Sequence, residues 1–578
     1  MTLAAPGSAA ETRESWVPMI TIALGQSIMS FNVAALPVSM SGMVASFGVP
    51  PTTVATGIVM YSLAVAGLVM LGSKLTQRYG ATRMFQIVVG LYLLAQTLMT
   101  FSPNATMMLV AQGLCGMAAA VIVPALVALI ANHYHGQQQA TAVGALGSAR
   151  AGASALAFLI GGLLGTFIGW RPVFGILIAV SAIVFFLSFR LKKDEARPEV
   201  QIDGIGVVLA AAAIILISFG FNNLNRWGLG FAGPNAPFDL AGLSPAPVMI
   251  VIGIILLQLL IGWCRRVAAN GRTPLLDLRV VMSPSERAAV LTMFAVVALE
   301  AMLNFTVPLY IQIVQGQTPL QSAIAMMPFN VTIFFTAILV VRLYPILPPR
   351  IIGRLGFAVC TVALLWLAFV VRNDWTAVPV LIGLFCFGVG QGALVTLVFN
   401  VLVTAAPKEL ASDVGALRGT TQNLAAAVGT ALAGALMVGL LSTAVFSYLV
   451  DNPEFPPEIQ AELDLDNINF VSNDQLQVIL EGTSATPEQV AEAVRINTDA
   501  RLRALKIGLL LMAGVAALTI LPAGRLPSYK PGEIPARPPQ PSAEEERAVA
   551  RAVDEHEHDA EALAEIPVAA GGRPESKP

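Results

Sequence analysis

The sequence predicts an all-α polytopic membrane protein, and three observations support that prediction. Fourteen long apolar segments follow one another between Trp16 and Leu521, and about 20 apolar residues are enough for one helical crossing of a bilayer. The chain of 578 residues is 56% hydrophobic and only 12% charged, whereas a soluble domain carries roughly 25% charged residues. Finally, Lys and Arg collect in alternate connections between the apolar segments, those after segments 2, 6, 8 and 10.

The fourteen segments are bounded by local signals. In chain order they cover 17–39, 52–72, 83–101, 105–131, 140–168, 172–190, 204–222, 246–264, 287–312, 319–341, 351–371, 376–404, 412–446 and 503–522. Pro50-Pro51-Thr52 and Ser102-Pro103-Asn104 each end one helix and begin the next, because proline lacks the donor that a helix interior needs. Neither a basic n-region nor a small-residue cleavage site precedes the first segment, so we expect that segment to be retained.

The basic residues set the orientation in the membrane. They follow segments 2, 6, 8 and 10: Lys74, Arg78, Arg83; Arg190, Lys192, Lys193, Arg197; Arg265, Arg266, Arg272, Arg279; Arg342, Arg350, Arg354. The short loops on the other side hold only Arg171, Arg226 and Arg372. Because Lys and Arg mark cytoplasmic loops, we expect both termini to be cytoplasmic and the protein to be a multi-pass protein of the plasma (inner) membrane.

Two hydrophilic regions stand apart from this pattern. The insertion 447–500 holds eleven carboxylates against one basic residue, Arg495, and faces the outside. Ser472 with Gln475 and Thr486 with Gln489 are spaced as capping boxes, which predicts short helices, the second running into the last segment. The insertion is either a small acidic cap that binds an extracytoplasmic partner or a solvated linker. The tail 526–578 is proline-rich and then acidic, which predicts cytoplasmic disorder.

Several classes of function have no support in the sequence. There is no phosphate-binding loop, no H-E-x-x-H pair and no nucleophile elbow, so direct ATP driving and enzyme activity are not expected. The four cysteines lack the spacing of metal ligands, and His556 and His558 lie among acidic residues of the tail. We expect no metal and no cofactor. The basic residues follow the topology and form no nucleic-acid surface.

Several motifs resemble the major facilitator superfamily, specifically its fourteen-helix drug:proton antiporter branch. The resemblance covers roughly 16–446 and the last helix, and it depends on Pro308-Leu309-Tyr310-Ile311-Gln312, Gly316-Gln317-Thr318-Pro319-Leu320-Gln321, Pro274-Leu275-Leu276-Asp277-Leu278-Arg279, Asp203-Gly204-Ile205-Gly206 and Trp170-Arg171. It implies a cytoplasmic N-terminal segment (1–16), an N-terminal six-helix bundle (17–190), two linker helices (204–264) and a C-terminal six-helix bundle (287–522). The bundles would rock about a central site and give alternating access.

The chain also departs from that branch. The loop after its second helix reads G-x-L-x-D-R-x-G, and the residues here that would form this conformational loop are Gln77, Arg78, Gly80 and Arg83. Gln77 replaces the carboxylate, so we expect a weaker latch. Ile28 stands where the first helix of the branch has an aspartate, and Leu109 where the fourth has an arginine. Ala157-Phe158 replaces a Gly-Pro pair in the fifth.

Two ionisable residues lie deep inside the apolar segments and are the main candidates for function. Arg150 lies about ten residues into the fifth segment, and Glu300 lies about thirteen residues, or ~20 Å, into the ninth. A charge at the bilayer centre costs at least about 2.5–3.5 kcal/mol, so such residues face a protein interior or a wet cavity. Glu300 is our candidate proton carrier. Arg150 stays charged and is expected to pair with Glu300 or with an anionic group of the substrate, unless both are only interhelical contacts.

Polar amides on apolar helices complete the predicted site. The candidates for a substrate cavity are Gln26, Asn32, Gln112, Asn304, Gln312, Asn330, Gln391 and Asn400. Each can equally serve as a contact between helices. Arg418 is expected at the cytoplasmic edge. The small-residue runs 144–148 and 429–434 would let helices approach closely, as sliding or ordinary packing surfaces.

These observations predict a secondary transporter. The leading interpretation is export of amphipathic drugs or metabolites, coupled to proton influx. One alternative is an exporter or flippase of lipids or lipid-like metabolites with little proton coupling, in which Arg150 binds an anionic headgroup. A second alternative, of another class, is a membrane scaffold or sensor that uses the acidic insertion. The expected partners are thus a small amphipathic substrate, protons and membrane lipids.

Overall fold

Long helices form the framework of the chain. The computed structural model describes residues 14–49, 51–194, 196–233, 236–239, 241–281, 283–311, 315, 317–344, 346–372, 374–375, 377–405, 410–451, 477 and 486–528. These lie in the first of two units, Met1–Lys530. Nearly all of the predicted tail and most of the acidic insertion fall outside the described residues. Within the described residues no strand forms, apart from an isolated bridge between Phe231 and Leu243.

The helices follow the predicted apolar segments. In the first half they are α1 (Val17–Val38), α2 (Met40–Phe47), α3 (Pro51–Tyr79), α4 (Ala81–Thr100), α5 (Ala105–His133), α6 (Gly136–Phe167) and α7 (Arg171–Ser188). Then come α8 (Gly204–Trp227) and α9 (Pro245–Ala269). The second half contains α10 (Pro284–Leu309), α11 (Pro319–Ala325), α12 (Met327–Leu339), α13 (Pro349–Val370), α14 (Val378–Ala405), α15 (Ala411–Asp451) and α16 (Pro487–Ala523).

Local capping explains where several helices begin. Asn104 accepts a hydrogen bond from the Met107 amide at the start of α5. Capping boxes open α10, α11 and α16, so the box predicted at Thr486 is present and α16 runs without interruption from it into the last apolar segment. Because side-chain caps satisfy amide donors that the first turn leaves free, the helices start at these residues. The box predicted at Ser472 lies outside the described residues.

Twelve of the described helices are long and apolar enough, by length and composition, to cross a membrane. The prediction of one continuous helix over 319–341 is wrong, because α11 ends at Ala325, α12 begins at Met327 and a short 3₁₀ turn, Val340–Leu343, follows. Pro328 gives the physical reason: it has no amide proton to donate backwards, and its ring crowds the carbonyl four residues earlier. The tenth apolar segment is therefore a broken helix.

Helices α8 and α9 form a hairpin that lies against α3 and α15. Asp203 fixes this hairpin, because its Oδ1 accepts a hydrogen bond from the Gly206 amide, capping α8, while its Oδ2 accepts one from Trp263 Nε1 of α9 at 2.8 Å. One carboxylate therefore joins both helices of the pair. The motif Asp203-Gly204-Ile205-Gly206, found from its resemblance, thus has a structural function.

Close contacts connect the two halves of the chain. Helix α6 contacts α12 and α14, and α15 contacts α3 and α5. A Cβ atom added to Gly144 would lie 2.8 Å from the Ala337 carbonyl oxygen, and Ser148 Oγ donates a hydrogen bond to the Phe334 carbonyl at 2.8 Å. The small-residue run 144–148 therefore does allow close approach, and the partner is a helix of the other half.

Candidate functional site

Arg150 and Glu300 form an ion pair inside the helical assembly. Arg150 Nη2, on α6, donates a hydrogen bond of 2.9 Å to Glu300 Oε1, on α10. The Arg150 side chain is 30% exposed and the Glu300 side chain 16% exposed. The pair is thus partly shielded, and part of each side chain remains accessible. The two charges that the sequence places inside the bilayer contact one another across the two halves of the chain.

The ion pair borders a cavity of about 410 Å³, which is within the 300–1,000 Å³ typical of ligand sites. Apolar side chains dominate its lining, and Arg150 and Glu300 are its charged members. The lining residues are Val33, Ala34, Pro37, Val38, Gly147, Arg150, Ala151, Ser154, Phe158, Glu300, Asn304, Pro308, Ser322, Ala323, Met326, Asn330, Ile333 and Val395. An apolar cavity with a few convergent polar groups suits an amphipathic ligand.

Helical periodicity brings these residues to the cavity. Glu300, Asn304 and Pro308 are four residues apart on α10, so they share one face, and Gly147 and Arg150 do so on α6 at a spacing of three. The break between α11 and α12 supplies the opposite wall. Irregular backbone at membrane depth is tolerated where it lines a cavity in the protein, and this break does so.

Two of the predicted cavity residues, Asn304 and Asn330, line this cavity. Asn330 Nδ2 donates to the Met326 carbonyl at 3.1 Å, across the helix break. Gln391 and Asn400 are buried on α14 and are not among the lining residues. Gln312 lies outside the described residues.

Asn32 and Gln112 belong to a separate polar cluster between α1, α4 and α5. Asn32 Nδ2 donates to Gln112 Oε1 at 3.0 Å, and Gln96 Nε2 donates to Asn32 Oδ1 at 3.0 Å. All three side chains are buried. Gln26, further back on α1, donates to Ser30. Sequence reasoning missed Gln96, since an amide in an apolar segment carries no sign of its partner. In the structure Asn32, Gln96 and Gln112 connect α1, α4 and α5, whereas the bond of Gln26 lies within α1.

A second ion pair, which the sequence did not predict, joins α3 to α15. Lys74 Nζ lies 3.0 Å from Asp413 Oδ2, and the two side chains are 1% and 0% exposed. Ser73 Oγ donates to Asp413 Oδ1 at 2.7 Å, and Lys74 Nζ also donates to Gln77 Oε1 at 3.3 Å. Asp413 lies in the first turn of α15, where a negative charge interacts favourably with the helix dipole. The side of the assembly that carries the connections rich in Lys and Arg is called the basic face. Ser73, Lys74, Gln77 and Asp413 lie there, and we call them the basic-face latch.

The remaining residues of the predicted conformational loop surround this latch. Arg78 Nη1 donates to the Val200 carbonyl at 3.4 Å, and the Gln77 carbonyl accepts from the Arg197 amide. Gly80 has a φ of 88°, a conformation that side chains with a Cβ rarely adopt. Arg83 is exposed. The loop is therefore fixed by the segment that follows α7. Although Gln77 cannot form an ion pair, Lys74 supplies one nearby.

The sequence predicted that Arg418 lies at the cytoplasmic edge, and in the structure this side chain is buried. Only 4% of it is exposed, and its guanidinium carbon lies 4.1 Å from the centre of the Phe399 ring. The reason is the start of α15 at Ala411, which puts Arg418 two turns into the helix, or ~10 Å. Gly415 and Gly419 on the same helix hold it against α5 and α3.

The cavity and the latch lie toward opposite ends of the helices. The latch is at the end where α1 starts and α3 finishes, whereas the cavity includes Val38, at the far end of α1, and Pro308, at the far end of α10. The described residues thus bring the two halves of the chain together at the latch and place the cavity toward the other end of the helices. Long apolar helices around a central cavity with charged groups are the architecture expected of a membrane transporter.

The comparisons with known proteins agree with this class. The sequence profile of the Major Facilitator Superfamily matches residues 22–430. The chain belongs to the Major Facilitator Superfamily. It is thus a multi-pass transporter of the plasma membrane and not an enzyme.

The curated relatives include proteins named for drug resistance or drug efflux. The multidrug resistance protein Stp of Mycobacterium tuberculosis is 24% identical over 461 residues, covering 79% of this chain and 82% of Stp. The multidrug efflux pump LfrA of Mycolicibacterium smegmatis is 22% identical, covering 90% of this chain and 96% of LfrA. The drug efflux pump JefA of M. tuberculosis is 24% identical over 71% of this chain and 77% of JefA.

Solved structures show the same fold. The human organic anion transporter MFSD10 (TETRAN) matches with a TM-score of 0.54 at 11% identity, covering 89% of this chain and 100% of that chain. The proton:xylose symporter XylE, bound to 6-bromo-6-deoxy-D-glucose, matches with a TM-score of 0.50 at 10% identity, covering 88% and 94%. At these identities the likeness concerns the fold alone.

Proposed function

We propose that this transporter exports amphipathic drugs or metabolites across the plasma membrane by alternating access, coupled to proton influx. The efflux in the names of LfrA and JefA supports export, and the multidrug resistance in the name of Stp agrees with it. The mostly apolar lining of the central cavity supports an amphipathic substrate. The proposal includes fourteen spans, cytoplasmic termini, and two six-helix bundles, 17–190 and 287–522, separated by the linker helices 204–264.

The Arg150–Glu300 pair is the observation that carries the proposal. Glu300 can take up a proton from water in the cavity, and the neutral acid then loses its ion pair with Arg150. Arg150 keeps its charge throughout and pairs with Glu300 only while that carboxylate is charged. A proton and a positively charged or hydrogen-bond donor group of the substrate would both bind the Glu300 carboxylate, so proton binding and substrate binding compete for the same carboxylate. That competition is the physical basis for exchanging one for the other.

The basic-face latch supports alternation between two states. Lys74 and Asp413 come from different halves of the chain and are fully buried against one another. A state that opens at the basic face must separate them, because α3 and α15 carry the two charges. In the proposed cycle, the arrangement described here is the state closed at the basic face, which the proposal assigns to the cytoplasm.

The test is transport by purified protein in liposomes that contain a pH-sensitive dye. A panel of fluorescent amphipathic compounds is applied with and without a pH gradient, for wild type, Glu300→Gln and Arg150→Lys. We expect Glu300→Gln to lower gradient-driven transport at least tenfold while it still binds the compounds. Arg150→Lys should keep a charge but weaken binding, because a lysine cannot reproduce the guanidinium fork.

Glu286→Gln is the matched control, since it makes the same change on the same helix and glutamine also completes a capping box. It should transport as wild type does. If Glu300→Gln retains proton-coupled transport, Glu300 is not the proton carrier. If no compound in the panel is transported by wild type, export of amphipathic compounds itself is refuted.

A further inference from the structure

Arg418 is a buried cation that lies against no anion of the described chain. It lies on α15, and only 4% of it is exposed. Its guanidinium carbon is 4.1 Å from the centre of the Phe399 ring. The positive charge of Arg150 also acts on Arg418, and that interaction is repulsive. Among the described residues, no hydrogen bond or ion pair includes the Arg418 side chain.

A cation in this position needs a partner, because arginine stays charged inside proteins. A buried charge without a counter-charge is costly, and an aromatic ring attracts the cation without accepting its five N–H donors as an anion would. Lys74 lies against the carboxylate of Asp413. Arg150 lies against that of Glu300. The described chain supplies no such carboxylate to Arg418, so an anionic ligand is the group that would complete its surroundings.

Arg418 lies between the latch and the central cavity. It follows the start of α15, beside the latch, by seven residues, or ~10 Å. Helix α6 starts at the same end, beside the start of α1, and Arg150 is fourteen residues, or ~21 Å, from that start. On α14, Phe399 follows the cavity-lining Val395 by one turn. A compound that enters from the basic face therefore meets Arg418 before it reaches the cavity.

Opening at the basic face would uncover Arg418 while its ring contact persists. Arg418 and Phe399 both belong to the second half of the chain, so their contact does not cross between the halves. The flanking Gly415 and Gly419 pack against α5 and α3 of the first half, and separation of the halves breaks those contacts. The guanidinium group would then face the opening, held in place by the ring behind it.

We propose that Arg418 binds the acidic group of the exported compound, which makes amphipathic acids the substrate class of this transporter. The inference rests on the proposed function, because it takes the basic face as the side from which substrate enters. A guanidinium group binds a carboxylate through two parallel hydrogen bonds. The apolar lining of the central cavity suits the body of such a compound, and Glu300 remains available to a donor group. A small inorganic anion would match Arg418 but would leave the apolar cavity unused.

The experiment is equilibrium binding of dansyl amino acids to the purified full-length transporter in neutral detergent, followed by dansyl fluorescence and corrected with protein-free micelles. The dansyl derivatives of glycine, leucine and phenylalanine are compared with their amides, which lack only the charged carboxylate. Wild type should bind each acid at least tenfold more tightly than its amide, which corresponds to about 1.4 kcal/mol. Arg418→Gln should bind acid and amide alike, with an unchanged affinity for the amides.

Two further variants complete the design. Arg171→Gln is the matched control, because Arg171 also lies over an aromatic ring, 4.6 Å from the centre of Trp170, but is exposed at the start of α7. It should keep the preference of wild type for the acids. Arg418→Lys should still prefer the acids but bind them less tightly than wild type, since lysine keeps the charge without the paired donors. This variant keeps the proposal testable if Arg418→Gln does not fold.

Three results would overturn the proposal. The first is equal binding of acids and amides by wild type, and if wild type still exports neutral compounds from liposomes, only the substrate class is wrong. The second is a preference for the acids in Arg418→Gln as large as in wild type. The third is loss of the wild-type preference when chloride is added in gluconate buffer at the concentration of the dansyl acid, which would identify a site for small inorganic anions instead.

Discussion

Removing the charge of Lys74 should shift the transporter away from the state that is closed at the basic face. Lys74→Met leaves the Asp413 carboxylate buried with Ser73 and without its cation. Loss of one partner from a buried ion pair costs about 3–5 kcal/mol. If only the closed state contains the pair, that cost changes the ratio of closed to open states by roughly two to three and a half powers of ten.

The shift can be measured as a distance between the two halves. Spin labels at Arg83→Cys and Arg350→Cys, on a background without the four native cysteines, report separation at the basic face, since both positions are exposed at helix starts there. Wild type should give one short distance. Lys74→Met should add a population at longer distance. The double variant Lys74→Met/Asp413→Leu should recover much of the short population, because apolar replacement of both partners is often neutral.

The control is Lys192→Met. Lys192 also pairs with a carboxylate, that of Glu14 at 3.4 Å, but the two side chains are 76% and 45% exposed. Exposed pairs contribute little, so this variant should match wild type. If Lys74→Met leaves the distance distribution and the melting temperature unchanged, or if the double variant is no closer to wild type than the single one, the latch interpretation is refuted.

Three further changes test other parts of the structure. Gly144→Leu should prevent closure between α6 and α12 and lower transport at least tenfold, whereas Gly165→Ala, with open space around it, should be silent in the same assay. Asn32→Leu should lower stability by about 0.6–1.7 kcal/mol, the range of interhelical hydrogen bonds in membranes, with an unchanged substrate range in the compound panel. Burial raises the pKa of Asp277, but hydrogen bonds and charge from Arg279 outweigh burial and hold that pKa below its usual value. The charged Asp277 carboxylate thus stabilises the folded state at pH values above its unfolded pKa, and this stabilisation is lost as the pH falls through its folded pKa. In thermal melts at falling pH, Asp277→Asn should lack the decrease in melting temperature that this loss causes in wild type.

The sequence predicted the helices well because their signals are local. Apolar length, proline and capping residues such as Asn104 act within one or two turns, and each predicted segment is helical in the described chain. The break at Pro328 was missed because a proline inside an apolar run is compatible with either a kink or a new helix start.

The site was only partly predictable for the opposite reason. Arg150 and Glu300 could be found because a charge inside an apolar segment is conspicuous by itself. Lys74 and Asp413 lie 339 positions apart at the ends of helices, where charges are ordinary, and nothing local indicates that both become buried. Their contact depends on how α15 crosses α3. That geometry follows from the packing of the two halves and not from any short stretch of sequence.

The different exposure of the two ion pairs supports different functions for them. Arg150 and Glu300 border a cavity, and their side chains are 30% and 16% exposed, so a ligand in the cavity has access to them. The side chains of Lys74 and Asp413 are 1% and 0% exposed, so no ligand contacts them unless α3 and α15 separate. Under the proposed function, the first pair is therefore the one that exchanges protons and substrate, and the second pair is the one that responds to the conformational change.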